Sequence, residues 1–561
     1  MDFQRIFILL GLAVTSYMLV LAWNEDYGQK PVPDEPVEQV SSQETPAVPT
    51  APVELTADEI PDASDLELQR PTPTASESFP SITPTKDDGR SVSVKTDVLE
   101  VTIDRRGGDI KRVNLPAYPE RINTPDVPFP LIDSRNNYAA QSGLIGTDGT
   151  DTSAGRPLFE TMQSSYELTG ESLSVDLRFV SEDGVVITKR FTFKRGDYLI
   201  DVEYIIDNPR DTPWSAAMFG QIKRDSQKPA FSDENSMGLA PYVGGATFVP
   251  GSPYTKLTFD DIAEEPYKQA IEGGYVAMVQ HYFLSAWVPS VEHTHTYRAR
   301  KLANQDTYLF EFTTPVMRVP AGETGTIGAA FYAGPKDQYR LKNIAKGLDL
   351  TVDYGFLWWL AQPLFDLLFL IHGFVGNWGV AIILLTIIVK TVLYPLSAAS
   401  FRSMAKMRKL QPEMQRLKER YGDDRQQFSQ AMMELYKKEG ANPLGGCFPI
   451  LLQMPVFLAL YWTLLESVEL RQAPFMLWIH DLSDMDPYFV LPILMGISMY
   501  LTQLMQPEPP DPMQAKIFKL MPIMFTFFFL WFPSGLVLYW LVNNILSIMQ
   551  QYYVKRQIEK A

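Results

Sequence analysis

Trp378-Gly-Val-Ala-Ile-Ile-Leu-Leu-Thr-Ile-Ile-Val-Lys390-Thr-Val-Leu-Tyr-Pro-Leu396 decides the reading of this chain. It is long and apolar enough to cross a bilayer as a helix, yet it carries one charge, Lys390, well inside the run. An ammonium at the centre of a span costs roughly 2.5–3.5 kcal/mol on insertion scales. Such a residue normally faces a partner or a wet cavity. The alternative is snorkelling, in which the long stem lifts the charge to the interface. Lys390 stands six residues before Leu396, about 9 Å along a helix axis, so snorkelling is strained. Thr386 lies four residues before Lys390, on the same helix face.

Outward from this run the chain divides by composition. Its 561 residues exceed one domain. A net charge of -17, from 49 Lys+Arg against 66 Asp+Glu, argues against direct nucleic-acid binding. The single cysteine, Cys447, excludes an intramolecular disulfide.

Ile6 to Ala22 is apolar, with Arg5 before it and Asn24-Glu-Asp26 after it. That polarity predicts a transmembrane anchor over 1–23 with a cytoplasmic N-terminus. A cleavable signal peptide is the rival reading, but no clear small-x-small cleavage site follows. Residues 24–90 read as an acidic, Pro-rich linker without a fold.

Residues 91–346 alternate as short strands do, in Ser91-Val-Ser-Val-Lys and Leu99-Glu-Val-Thr-Ile-Asp104, with turn signals at Arg105-Arg-Gly-Gly-Asp109 and Arg195-Gly-Asp197. An antiparallel β-sandwich is expected. His293 and His295 lack a third ligand pattern, so no metal site is expected. Neither nucleophile elbow, phosphate-binding loop nor zinc-protease helix occurs in the sequence.

Residues 354–376 are apolar but interrupted by Gln362-Pro363, Asp366 and His372, with Trp358 and Trp359 near the start. An amphipathic helix along the outer interface is predicted, with a tilted or broken span as the alternative. A first core span follows over 377–399. Residues 400–442 hold ten basic residues against six acidic ones, a net +4, which places this stretch in the cytoplasm. Met404, Met407, Leu410, Met414 and Leu417 recur at helical spacing, as do Phe428, Met432 and Leu435 after Gly422-Asp-Asp424. This predicts a helical hairpin. Its methionines either bind apolar segments or pack one hairpin helix on the other. Phe448–Leu465, Phe489–Leu504, Ile517–Phe532 and Leu536–Tyr552 complete the spans within 443–553, and 554–561 is a short basic tail. The expected fold class is a multi-pass α-helical membrane protein with six spans, five of them forming a helical core. It carries a large exported β-sandwich domain, and both termini are cytoplasmic.

A transporter or channel is one functional class for such a chain. Here the spans offer no inverted repeat and no second buried ionisable residue, apart from Glu466 near a span end. A carbohydrate-processing β-domain is another class, but no set of convergent carboxylates is visible. No catalytic set appears in the spans. What remains is a lone cation in a wet recess below a basic hairpin, which would attract acidic parts of a crossing chain and release its apolar part into lipid.

The motifs Thr386-Ile-Ile-Val-Lys-Thr-Val-Leu-Tyr-Pro-Leu396, Ser403-Met-Ala-Lys-Met407, Asn442-Pro-Leu-Gly-Gly-Cys-Phe-Pro449, Gln453-Met-Pro-Val-Phe-Leu-Ala-Leu460, Leu470-Arg-Gln-Ala-Pro474 and Phe532-Pro-Ser-Gly-Leu-Val-Leu-Tyr539 together resemble the YidC/Oxa/Alb family of membrane protein insertases, in its Gram-negative form. The resemblance implies a five-helix core around a hydrophilic groove, a periplasmic supersandwich domain, an inner-membrane location, and no enzyme activity, nucleotide or cofactor. Lys390, Thr386, Tyr539 and Trp540 would line the groove. Met454, Pro455, Phe525 and Phe528 would form the slide along which substrate helices leave. Arg402, Lys406, Met407, Arg408, Lys409 and Met414 of the cytoplasmic hairpin would receive the incoming chain. Implied partners are nascent membrane proteins, a Sec-type translocon, ribosome and signal-recognition components, and the bilayer. Two positions depart from the family pattern. Lys390 stands where the groove cation is commonly Arg, and Tyr539-Trp540 stands where some relatives carry Tyr-Tyr. Lys keeps the charge but loses the rigid donor fork. The short tail makes a tail-dependent ribosome contact less expected.

Overall fold

In the computed structural model, residues 60–61, 90–229, 241–421, 424–439, 448–506 and 512–560 are described. The expected anchor over 1–23, nearly all of the linker, the turn at Gly422-Asp423 and the Gly445-Gly-Cys447 stretch lie outside them.

The strand alternation read at Ser91–Lys95 becomes a strand whose Val92 and Val94 are buried and whose Ser91, Ser93 and Lys95 are exposed. It joins the larger of two sheets. That sheet runs in the order Tyr267–Glu272, Thr294–Lys301, Tyr308–Thr313, Trp214–Arg224, Ala139–Ile145, Asp109–Arg121, Glu100–Asp104, Ser91–Lys95 and Ser165–Glu167. The second sheet runs Ser252–Leu257, Gly244–Val249, Val276–Val279, Phe283–Pro289, Thr324–Pro335, Leu199–Asp207, Val186–Lys194 and Ser172–Val180. Among these pairings only Ser91–Lys95 with Ser165–Glu167 is parallel. The inward faces of the two sheets bury one continuous apolar core that includes Val94, Ile103, Phe191, Tyr204, Trp287 and Phe312. A separate apolar cluster on the larger sheet, Ile145, Ala217 and Phe219, is partly covered by Ile60 and Val316.

This sandwich contains a polar knot. Gly107 and Gly108 take left-handed φ values of 72° and 65°, which favour glycine. Lys189 reaches between the sheets to donate to the carbonyls of Gly107 (2.9 Å), Gly108 (2.8 Å) and Ser142 (3.1 Å). Beside it Arg156 pairs with Asp109 and, at 2.5 Å, with Asp151. These carboxylates are held by arginine inside the domain and do not converge on a cleft.

Among the described residues ten α-helices follow: α1 (Gln338–Ile344), α2 (Trp358–Val375), α3 (Trp378–Val392), α4 (Tyr394–Lys409), α5 (Gln411–Tyr421), α6 (Arg425–Lys438), α7 (Phe448–Glu466), α8 (Val490–Leu504), α9 (Pro512–Phe528) and α10 (Ser534–Lys560). They belong to one compact unit with the sandwich. Their core gathers Phe365, Leu368, Ile382, Leu385, Leu460, Leu464, Met495, Phe529 and Val537.

Two features differ from the expectations. The first core span, read as continuous to residue 399, bends by 67° between α3 and α4. Pro395 at the start of α4 cannot donate to the preceding turn, and its ring clashes with that turn's carbonyl. The helix before the interhelical turn of the hairpin is broken at Leu410 into α4 and α5. Helix length and composition among the described residues support the expected six spans only in part. Among the described residues only Gly355–Val375 is long and apolar enough to cross a membrane, or two elements if the bent α3–α4 pair counts as one span. The α3 and α8 helices have 15 residues each, about 22 Å against a hydrocarbon core of about 30 Å.

Candidate functional site: a lysine among polar side chains of the helical core

Asn377 starts α3 by accepting a hydrogen bond from Val380 N–H at 3.0 Å and by donating to the carbonyl of Phe475 at 2.9 Å. This cap sets which face of α3 turns inward. Trp378, Ala381, Ile382, Leu385, Thr386 and Lys390 are buried, the stripe expected from helical spacing. Ile387, Ile388 and Val392 are exposed on the other side. Lys390 therefore lies on the inward face and is only 7% exposed, which disfavours the snorkelling alternative.

Its ammonium donates to Ser547 Oγ at 2.8 Å. Ser547 can accept because its own hydroxyl donates to the Asn543 carbonyl one turn earlier, at 2.7 Å. Gln550 Nε2 reaches the Lys390 carbonyl at 3.3 Å. Asn543, Ser547 and Gln550 follow one another at helical spacing on α10. Neighbouring Asn544 and Gln551 of the same helix donate to Ser498 Oγ at 3.1 Å and to the Met505 carbonyl at 3.3 Å. The Oδ1 of Asn543 and Oε1 of Gln550 are buried without a protein partner among the described residues. Buried polar atoms left unpaired among apolar helices mark a place for water or for an incoming polar chain. Among the described residues no carboxylate lies within ion-pair distance of Lys390.

The sequence reading overlooked this polar face of α10. The signal was present: Asn543-Asn544, Ser547 and Gln550-Gln551 interrupt an otherwise apolar run about once per turn. Glu466, the one other ionisable residue noted near a span end, does not approach Lys390. It is buried against Lys336 of the β-domain, Nζ to Oε2 at 2.6 Å.

The other expected groove residues are distributed unevenly. Thr386 is 1% exposed and its hydroxyl is bonded back to the Ile382 carbonyl at 2.7 Å, so that group is satisfied within its own helix. Tyr539 is buried and its hydroxyl accepts from Gln453 Nε2. Trp540 is half-buried with Phe457 edge-on at 4.5 Å, and its indole Nε1 has no partner among the described residues. Of the slide residues, Met454, Pro455 and Phe528 are exposed, whereas Phe525 packs partly inward beside Phe529. Ile497, Leu501, Ile523 and Phe527 on α8 and α9 are exposed as well.

In the hairpin, Arg402, Lys406, Arg408 and Lys409 are exposed. The methionines are not a free stripe. Met414 is buried inside the hairpin, where the Tyr436 hydroxyl contacts its sulfur at 3.3 Å. Met407 is half-buried between that cluster and a second one around Phe401 and Val554. Met414 is thus directed away from the hairpin surface expected to receive a chain, because α5 and α6 need an apolar seam of their own. In the β-domain, His295 bonds the Ser290 carbonyl at 2.7 Å. Among the described residues no group of His, Cys, Asp and Glu has the arrangement of a metal site.

Comparison with known proteins addresses both halves. Residues 91–367 match the family model described as YidC periplasmic domain, and residues 370–561 match the one described as 60Kd inner membrane protein. A protein of Cellvibrio japonicus called membrane protein insertase YidC is 54% identical over 565 residues, covering 100% of this chain and 99% of its own. One of the same name from Pseudomonas aeruginosa is 50% identical over 587 residues, with the same coverage. A crystal structure of an active YidC insertase, with its first transmembrane domain resolved, is matched at 19% identity and a TM-score of 0.37. That match covers 83% of this chain and 92% of the other. On the full-length identity to these relatives, the chain belongs to the YidC family of membrane protein insertases.

Proposed function

We infer that this chain inserts newly made integral membrane proteins into the inner membrane and helps them fold, by a non-enzymatic route that uses no nucleotide. The observation that carries the mechanism is the ammonium of Lys390, buried on the inward face of α3 with a hydroxyl for its partner. A Lys ammonium has three donors. One is engaged by Ser547, and the others are available to an acidic or polar segment entering the core. Five core spans plus the N-terminal anchor make six, with both termini cytoplasmic and the β-domain periplasmic. In this arrangement α2 lies along the outer interface and the exposed bases of α4 meet the arriving chain.

Three effects act together. Lys390 and the polar face of α10 take over hydration from the substrate's polar flank. The short α3 and α8 thin the bilayer locally. The substrate's apolar helix then passes Met454, Pro455 and Phe528 into lipid, gaining about 25 cal/mol per Å² of apolar area removed from water. That last contribution dominates, and the groove lowers the barrier for the flank. A membrane potential adds about 2.3 kcal/mol per charge per 100 mV for acidic segments. A Sec-type translocon and the ribosome with its signal-recognition components are the partners that fit such a role.

Protease protection of a small substrate with an acidic exported tail, in liposomes holding only this protein, tests the reading. Wild type and Lys390→Arg are expected to insert it, while Lys390→Ala and especially Lys390→Glu fail. Equal insertion by all four would remove Lys390 from the mechanism.

A further inference from the structure

The strand Thr324–Pro335 ends one residue before Lys336, whose side chain is 2% exposed. Its Nζ donates to Glu466 Oε2 at 2.6 Å and to the Thr351 carbonyl at 3.2 Å. Glu466 is the last residue of α7. One residue earlier, the Leu465 carbonyl accepts from His281 Nε2 at 2.8 Å. Just beyond, Val468 is 3% exposed and is part of the sandwich's apolar core. Arg471 then donates to the carbonyls of Pro119 at 2.8 Å and Glu120 at 3.2 Å. Its guanidinium lies 5.3 Å and 5.5 Å from the Phe129 and Phe283 ring centres. The outer end of α7 is therefore seated in the β-domain by charge, hydrogen bonds and apolar contact at once.

The other end of the same helix meets the site. Gln453 donates to the Tyr539 hydroxyl, and Phe457 stands edge-on to Trp540. From Gln453 to Glu466 the helix spans about 20 Å at 1.5 Å per residue. A rod held at one end by the β-domain presents its other end at a fixed height and rotation.

A buried ion pair is a poor device for stability alone, since apolar residues of similar volume often serve as well or better. It is a good device for register. Val468 alone could seat in several rotations, but a carboxylate and an ammonium out of water tolerate few arrangements. We propose that Lys336 and Glu466 are positioning residues for insertion: the β-domain fixes the outer end of α7 and so keeps Gln453, Met454 and Phe457 aligned with Tyr539 and Trp540. This rests on the groove reading given above for its consequence, though not for its geometry.

The test measures the 454–524 distance on the full chain with Cys447→Ser and spin labels at Met454→Cys and Met524→Cys, and measures insertion separately on the unlabelled full chain in liposomes. Lys336→Met and Glu466→Met, each of which strands a buried partner, are each expected to lower insertion about tenfold and to broaden or shift the 454–524 distance. The double Met variant regains thermal stability but keeps the altered distance and slow insertion. The reversal Lys336→Glu with Glu466→Lys restores both. A double Met variant with wild-type distance and wild-type insertion would reduce the pair to a structural contact and overturn the proposal, as would single variants without effect. If Lys336→Met unfolds the sandwich, Glu466→Met, on the helix side, gives the same reading. Lys390→Glu is the control arm. It should stop insertion without moving the label distance, so failure of the groove reading and failure of the positioning proposal give different results.

Discussion

Lys189 of the β-domain and Lys390 of the helical core are both buried lysines, at 0% and 7% exposure, and their surroundings are opposite. Lys189 places its ammonium among three backbone carbonyls, which matches its three donors. The rings of Phe191 and Tyr204, with centroids at 5.3 Å and 5.2 Å, add to this enclosure. Lys390 has one hydroxyl. Lys336 falls between, with a carboxylate and one carbonyl. A lysine whose donors are all taken is part of the frame. One whose donors remain open inside an apolar bundle is costly to keep, and such a cost is tolerated where a substrate supplies the missing partners.

The same substitution at the two lysines should break this comparison or sharpen it. Lys189→Met strands the Gly108 carbonyl and takes one donor from those of Gly107 and Ser142, which Arg156 Nη2 also reaches. It is expected to destabilise the sandwich by about 1–3 kcal/mol, read as an earlier denaturant midpoint, with normal insertion per folded molecule. Lys390→Met should do the reverse. Hydrogen bonds to charged groups contribute about 1.5–3 kcal/mol, so insertion of an acidic substrate should fall about ten- to a hundredfold while the sandwich midpoint stays put. A loss of stability at Lys390 equal to that at Lys189 would end the distinction.

The intermediate case adds a pH dependence. Burial, reinforced by the neighbouring Lys336 charge, holds His281 down to about 3 from its usual 6.5. The folded junction then binds fewer protons than the unfolded chain across that interval. The His281 contribution to the seating of α7 is at full strength above about pH 6.5 and weakens as pH falls toward 3, whereas Glu466 and Glu469, raised by burial, act in the opposite sense. The protection factors of residues 465–471, taken against the intrinsic exchange rate at each pH, should fall more steeply on acidification in the wild type than in His281→Gln, which keeps a donor. The smallest effect is expected at Ser547→Ala. Removing one hydroxyl partner costs about 1 kcal/mol, a loss of severalfold or less in insertion, because Lys390 keeps its charge.

Much of this could be read from the chain and some could not. Alternation in Ser91–Lys95 and Glu100–Asp104 marks strands because one face of each is buried. Lys390 is legible because a charge inside a 15-residue apolar helix is conspicuous. The polar face of α10 was hidden in plain view: its residues are uncharged, and a span is recognised by average hydropathy rather than by which face the exceptions share. The inward turn of Met414 depends on Tyr436, from the opposite arm of the hairpin. The pairing of Lys336 with Glu466 joins positions 130 residues apart, a separation at which no local pattern operates.

That separation also has a consequence in time. A ribosome adding roughly 5–20 residues per second makes Glu466 about ten seconds after Lys336. The sandwich strands are complete by Pro335, yet Val468, which fills part of their core, has not been synthesised. During biogenesis the domain therefore waits with an open seam and an unmatched ammonium at Lys336. It closes only when the end of α7 has been made and brought to it, so completion of the β-domain reports how far the chain's own synthesis and assembly have progressed.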